Sequence, residues 1–224
     1  MSRGRFITRI KLKPAARLIT GRILLDWDAK QLLANPAGFP QLTSKALFGN
    51  QCRLEVEIGM GTGETLVSLA QANPGINYLG IEVSHRAAAY AAALAADTQL
   101  NNIRILRANF MLLKPFLEVN SWERVTLHFP DPVHKRRDLK RSLFTPLFLD
   151  SMATTLVPGG LLSVASDKPT FFFTMLELAE IDVRFEKAHP ERYLQGLEAP
   201  VKSRFQLFWE RKGVTPLRFV LRRR

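Results

Sequence analysis

The sequence predicts an α/β fold built on a doubly wound, mostly parallel sheet. Three observations predict it. Short apolar runs alternate with segments of helical periodicity from residue 53 to about residue 187. Gly, Pro and Asn break the pattern between them, and most of the apolar runs close on an acid or an amide. In sheets of this kind ligands bind beyond the carboxyl ends of the strands. Glu57 with the glycine loop that follows it, Glu82, Asn109, Asp131 and Asp167 are therefore expected to line one crevice.

Leu54, Val56 and Ile58 form the first strand, which ends in Gly59-Met60-Gly61-Thr62-Gly63. Leu66, Leu69 and Ala70 then recur at helical spacing until Asn73-Pro74-Gly75 stops them. Ile76 to Ile81 is a second strand closing on Glu82, and Ser84 caps an alanine-rich helix running to about Ala96. Asn102 to Leu106 and Arg124 to Phe129 are the third and fourth strands. A helix from about Phe144 to Leu156 is expected to stop at Pro158-Gly159-Gly160, ahead of a fifth strand, Leu161 to Ala165. A helix through Phe173, Leu176 and Ala179 and a strand at Val183 to Phe185 follow. In the tail, Ser203 and Gln206 have capping-box spacing on a short helix bearing Phe205, Phe208 and Trp209. Gly213 ends that helix, and Leu217 to Leu221 make the last strand. Residues 1–50 read as a basic N-terminal extension, with one short helix from Leu24 to Leu33, and residues 51–224 as the domain proper.

Composition narrows the partners. A net charge of +12 on 224 residues favours a polyanion, either nucleic acid or an anionic membrane surface. No apolar run is long enough to span a bilayer. The single cysteine, Cys52, excludes an intramolecular disulfide framework and fits a reducing compartment, so a cytoplasmic protein is expected. The four histidines show no metal-ligand spacing, and no metal is expected. Monomer and homodimer are both compatible with the sequence.

The glycine loop selects the cofactor. Its spacing is Gly59-x-Gly61-x-Gly63, whereas a dinucleotide fingerprint would need glycine where Glu64 stands. Carboxylates at Glu57 and Glu64 would repel a pyrophosphate but suit a ligand carrying an ammonium and a sulfonium, as S-adenosylmethionine does. Glu82 is placed to accept two ribose hydroxyls. Asn109 is a candidate for the adenine amino group, with an ordinary turn role as the alternative. Residues 53 to about 187 thus read as a Rossmann-like domain of the class I methyltransferase type. An NAD-dependent oxidoreductase is disfavoured by the glycine spacing and by Glu57.

The order Glu57-Ile58-Gly59-x-Gly61-x-Gly63, Gly80-Ile81-Glu82, Phe129-Pro130-Asp131-Pro132, Lys135-Arg136-Arg137-x-x-Lys140-Arg141 resembles the bacterial single-chain tRNA (guanine-N7-)-methyltransferases over residues 53–213. The resemblance implies methylation of N7 of the variable-loop guanine of tRNA from S-adenosylmethionine. It implies cofactor contacts at Glu57, Glu82, Asn109 and Asp131, with Asp131 also in the catalytic position. Lys135 and Asp167 are then guanosine-binding residues, and Arg137, Lys140 and Arg141 belong to a tRNA-contacting loop. Ser203-Arg204-Phe205-Gln206 stands where the family usually has Thr-x-aromatic-Glu, so a carboxylate is replaced by an amide. Val133 replaces the family's Trp, and Asp138 replaces its His. A methyltransferase of the same class acting on another substrate, and a catalytically silent RNA-binding protein, stay open at this point.

Asp131 lies between two prolines and precedes a segment in which five of seven residues from Lys135 to Arg141 are cationic. Such residues hold phosphates and position an RNA without reading its sequence. Neutralising Arg137, Lys140 and Arg141 together is expected to weaken tRNA binding and to flatten its dependence on salt. An unchanged slope of log K against log salt would show that these charges are merely solvated.

Overall fold

The computed structural model describes residues 22–131, 142–197 and 201–224. The strands are β1 (Leu24–Asp26), β2 (Arg53–Ile58), β3 (Ile76–Glu82), β4 (Ile103–Arg107), β5 (Trp122–His128), β6 (Leu156–Ser166), β7 (Phe185–Lys187), β8 (Leu194–Gln195) and β9 (Leu217–Arg223). The α-helices are α1 (Ala29–Ala34), α2 (Ser44–Phe48), α3 (Glu64–Ala72), α4 (His85–Asp97), α5 (Pro146–Thr155), α6 (Pro169–Glu180) and α7 (Arg204–Glu210). The strands form one sheet in the order β1-β4-β3-β2-β5-β6-β9-β7, with β8 paired to β9. β1 to β6 run parallel; β9 is antiparallel to β6, β7 and β8.

Alternation along the strands divides the core in two. Leu54, Val56 and Ile58 of β2 face a large cluster that includes Val125, Leu127, Phe148, Met152, Phe172 and Leu176. On the other face Tyr78, Ile103 and Ile105 pack against α3 and α4 through Leu66, Val67, Ala88, Ala91, Ala92 and Ala95. The alanine-rich face of α4 lets the helix approach closely. A Cβ on Gly63 would lie 2.7 Å from that of Ala91, and Gly63 has φ +75°. Gly80 is equally constrained, since a Cβ there would fall 2.1 Å from Met60 Sδ.

Several elements differ from the sequence expectation. Leu24 to Leu33 is not one helix. Leu24–Asp26 is an edge strand in register with Ile105–Arg107, and α1 starts after Asp28, whose carboxylate accepts the Lys30 N–H. Tertiary pairing decides this, because Leu24 is buried against the α4 side while Trp27 enters the opposite cluster. Trp27, Phe39 and Phe116 form an aromatic group with centroids 5.0–6.1 Å apart, and Trp122 Nε1 donates to Leu42 O at 2.7 Å. Residues 23–48 therefore share the sheet and the core of the residues that follow.

Pro158-Gly159-Gly160 does not precede the fifth long strand but lies inside it. β6 begins at Leu156, paired to Trp122 across an irregularity in β5. Gly160 is needed there, for a Cβ would meet Val157 O at 2.8 Å and Glu123 O at 3.1 Å. The strand expected at Val183–Phe185 sits at Phe185–Lys187; Val183 is exposed, and β9 separates β7 from β6.

The antiparallel corner depends on a neutral histidine. His189 Nε2 accepts the Val220 N–H at 3.2 Å, and burial pulls the His189 pKa below its usual 6.5. The unfolded chain then binds the proton more readily than the folded one, so stability falls as pH drops through about 6.5 towards the folded-state pKa. Denaturant titrations at about pH 7 and pH 5 should show a steeper loss for the wild type than for His189→Gln, which keeps an acceptor without the titration.

Candidate functional site

The parallel register brings the strand ends to one edge. Ile58 pairs with Ile81, Glu82 with Arg107, and His128 with Ala165. Glu57, Glu82, Asn109, Asp131 and Asp167 therefore lie at or just beyond the carboxyl ends of five neighbouring strands.

The glycine loop is tied down from two sides. Gly59 N–H donates to Ile81 O at 2.7 Å, and Gly61 N–H donates to Glu82 Oε2 at 3.0 Å. Glu82 Oε1 also accepts the Ser84 N–H at 2.8 Å, and Ser84 caps α4 through the Ala87 N–H. A carboxylate offers about four acceptor directions, so these two bonds leave Glu82 able to accept two more. Gly59, Gly61 and Gly63 all have positive φ, between +65° and +75°. That conformation curls the loop and opens the N-terminus of α3. Glu57 and Glu82 are buried, and Thr62 Oγ1 donates to Glu64 Oε2 at 2.6 Å. Three carboxylates thus flank the loop, one of them, Glu64, paired with Arg204.

Beyond β5 the chain leaves the sheet abruptly. Phe129 N–H continues the ladder to Ala165 O at 2.8 Å, yet Phe129 has φ +54°. A left-handed non-glycine residue costs about 1–2 kcal/mol, and burial of the ring against Phe205, with centroids 5.0 Å apart, offsets it. Asp131, two residues on, is exposed. Phe205 belongs to α7, so this contact joins the Asp131 turn to the Ser203–Gln206 segment. Ser203 Oγ caps α7 by accepting the Gln206 N–H at 3.2 Å. The capping box is only half formed, because the Gln206 side chain turns away from Ser203 and donates to Glu210 Oε1 at 2.9 Å. Glu57, Thr65, Phe129, Ser203 and Gln206 line one cavity of about 310 Å³, with the hydrogen-bonded His128–Ser163 pair (3.0 Å) in its wall.

Other expected residues have structural partners. Asn109 Oδ1 accepts the Met111 N–H at 3.1 Å, so the turn role is real and uses part of its acceptor capacity. Asp167 is nearly buried and lies 3.3 Å from Lys168 Nζ, itself stacked over Trp209 at 4.4 Å. Arg204 is drawn to the glycine-loop side, with Nε 2.7 Å from Glu64 Oε1 and its guanidinium over Tyr90. It links α7 to the start of α3. Lys135, Arg137, Lys140 and Arg141 lie outside the described residues. Ser163 and Glu210 are parts of this site that the sequence reading did not single out, and Phe129 entered it only as the first residue of the Phe129-Pro130-Asp131-Pro132 motif. The spacing of Glu210 four residues after Gln206 was the available signal for Glu210. Among the described residues no group of three or more His, Cys, Asp or Glu side chains is placed to hold a metal ion, and no helix is long and apolar enough to cross a membrane.

A solved structure with the same fold is TrmN from Thermus thermophilus, with a TM-score of 0.55, 20% identity, and coverage of 77% of this chain and 44% of that one. Residues 51–215 match the family model for methyltransferases designated Methyltransf_4. Strand order, glycine loop and strand-end carboxylates together define a Rossmann-like methyltransferase of class I. A tRNA (guanine-N7-)-methyltransferase of Rubrobacter xylanophilus is 41% identical over 217 residues, 97% of each chain. One from Chloroherpeton thalassium is 36% identical over 98% of this chain and 97% of its own. The chain belongs to the tRNA (guanine-N7-)-methyltransferase family.

Replacing Glu82 with Ala is expected to cost about 1.5–3 kcal/mol, because two backbone donors lose a charged acceptor. Denaturant unfolding measures that loss, and hydrogen exchange should quicken at the Gly61 and Ser84 amides. An unaltered Gly61 amide would mean that Glu82 does not organise the loop.

Proposed function

We propose that Asp131, delivered by the turn after β5, is the residue at the reacting centre of methyl transfer to N7 of the variable-loop guanine of tRNA. The observation that carries this reading is the packing of Phe129 on Phe205. It joins the turn that leads to Asp131 to the helix bearing Gln206, and Phe129 and Gln206 line one cavity with Glu57 and Thr65, which flank the glycine loop in the chain.

S-adenosylmethionine fits the loop. Glu82 keeps acceptor capacity for ribose hydroxyls, Glu57 is a buried carboxylate just before the loop, and Asn109 stands beyond the end of β4, whereas Glu64 is already paired with Arg204. When bound, this cofactor supplies an electrophilic methyl group and departs as the neutral thioether. Guanine N7 already carries a lone pair, so no residue has to remove a proton before attack. What the chain must do is align the base and accommodate the positive charge it gains. Alignment alone is powerful, since well-oriented intramolecular reactions reach effective molarities of about 10⁵–10⁸ M. Asp131, exposed at the rim, is positioned to orient the base and to stabilise that charge as a carboxylate. Nothing in this displacement calls for a Lewis acid, and the proposed enzyme works on cytoplasmic tRNA without a metal.

Incubating the protein with labelled S-adenosylmethionine and total tRNA, then mapping the modified nucleoside, tests the reading directly: 7-methylguanosine in the variable loop is expected. Asp131→Asn should lower kcat by about 10²-fold, a larger effect than on the Kd for S-adenosylmethionine, in which Asp131 is one contact among several. The wild type should show no solvent isotope effect of the size expected for rate-limiting proton transfer. A large effect, tracking one ionisation, would make Asp131 a general base and overturn the electrostatic role.

A further inference from the structure

The amide that replaces the family's usual carboxylate does not stand alone. Gln206 is almost fully buried at the wall of the cavity, and its orientation is set by a neighbour one turn along α7. Glu210 Oε1 accepts from Gln206 Nε2 at 2.9 Å, while Glu210 Oε2 lies 2.7 Å from Lys202 Nζ. Lys202 first, and the Gln206 amide second, hold the Glu210 carboxyl below its usual range. An ionised carboxylate can only accept, so it tolerates only the NH₂ end of the amide. Because the amide is planar, fixing Nε2 on Glu210 turns the carbonyl oxygen Oε1 the other way.

We propose that Glu210 is a positioning residue, which locks the Gln206 amide so that Oε1 faces the cavity as an acceptor for an N–H on the Watson–Crick edge of the target guanine. Gln206 left to itself would present either its oxygen or its NH₂, and the second would repel the N–H donors of guanine and welcome the N1 acceptor of adenine. The Glu210–Gln206–Lys202 chain thereby gives an amide the polarity of a carboxylate, with the charge set one residue back from the base. Removing the lock costs binding because a buried donor is left facing a donor. This inference rests on guanine in tRNA being the substrate.

Three variants test it against the wild type in the tRNA methylation assay: Glu210→Gln, Gln206→Glu, and the two together. Glu210→Gln keeps the size of the side chain but accepts either end of the Gln206 amide. It should raise KM for tRNA by about 3- to 10-fold, the range of one net hydrogen bond, with kcat and the Kd for S-adenosylmethionine little changed. Gln206→Glu alone sets two carboxylates one turn apart and should also weaken binding. In the double variant the new amide at 210 donates to the new carboxylate at 206, and KM should return to near the wild-type value. Melting temperatures separate this from a purely structural pair, which would move Tm in step with activity and leave KM for tRNA alone. A Glu210→Gln enzyme with unchanged KM, or a double variant no better than Gln206→Glu, overturns the proposal while leaving the functional reading intact. A wild type that forms no 7-methylguanosine overturns both.

Discussion

The carboxylate of Glu82 is the point on which the functional edge of this protein depends. It accepts the Gly61 N–H on one side and the Ser84 N–H on the other. One buried side chain therefore fixes both the glycine loop after β2 and the start of α4 after β3. The Gly61 amide is buried and that of Ser84 part-buried, and unpaired buried donors are costly. A carboxylate accepts more bonds than these two donors require, so Glu82 keeps acceptor capacity, which the proposed function gives to a ribose.

The surrounding packing explains why the loop can be so tight. Gly80 gives room for Met60, and Gly63 gives room for Ala91. A larger residue at either point would push the loop off the sheet or α4 off α3. On the far side of the site Phe129 accepts an unfavourable backbone conformation in exchange for burial against Phe205. Such local strain, over-determined by its surroundings, is common where a chain must aim a side chain out of a sheet. Here it aims Asp131 and, through the same ring contact, ties that turn to α7.

α7 shows how a local signal can be right about place and wrong about partner. Ser203 and Gln206 are spaced as a capping box, and Ser203 does cap the helix. The amide of Gln206, however, pairs with Glu210, because Lys202 holds Glu210 on that face as an anion. Arg204 likewise goes to Glu64 and Tyr90. The first is a local pair, four residues apart on one helix face, which competes with the capping box; the second follows from long-range placement that spacing alone does not encode. The corrections in the fold share this cause: Leu24–Asp26 has helical neighbours in sequence but an open strand edge in space. Pro158-Gly159-Gly160 looks like a stop signal but sits where β6 passes the backbone of β5 at close range.

By itself the sequence determined the alternation of strands and helices, the glycine spacing that excludes a dinucleotide loop, and the acids at the strand ends. These are local patterns, and each follows from the period of a helix or strand, the permissiveness of glycine, or the chemistry of one side chain. Only the tertiary structure decided that β9 runs antiparallel between β6 and β7, that Leu24–Asp26 extends the sheet, and that Glu82 shares its carboxylate between loop and helix. It alone set Phe129 against Phe205 and Arg204 against Glu64. Those facts depend on which distant surfaces meet, and the energy of that meeting outweighs the weak preferences of a few neighbouring residues.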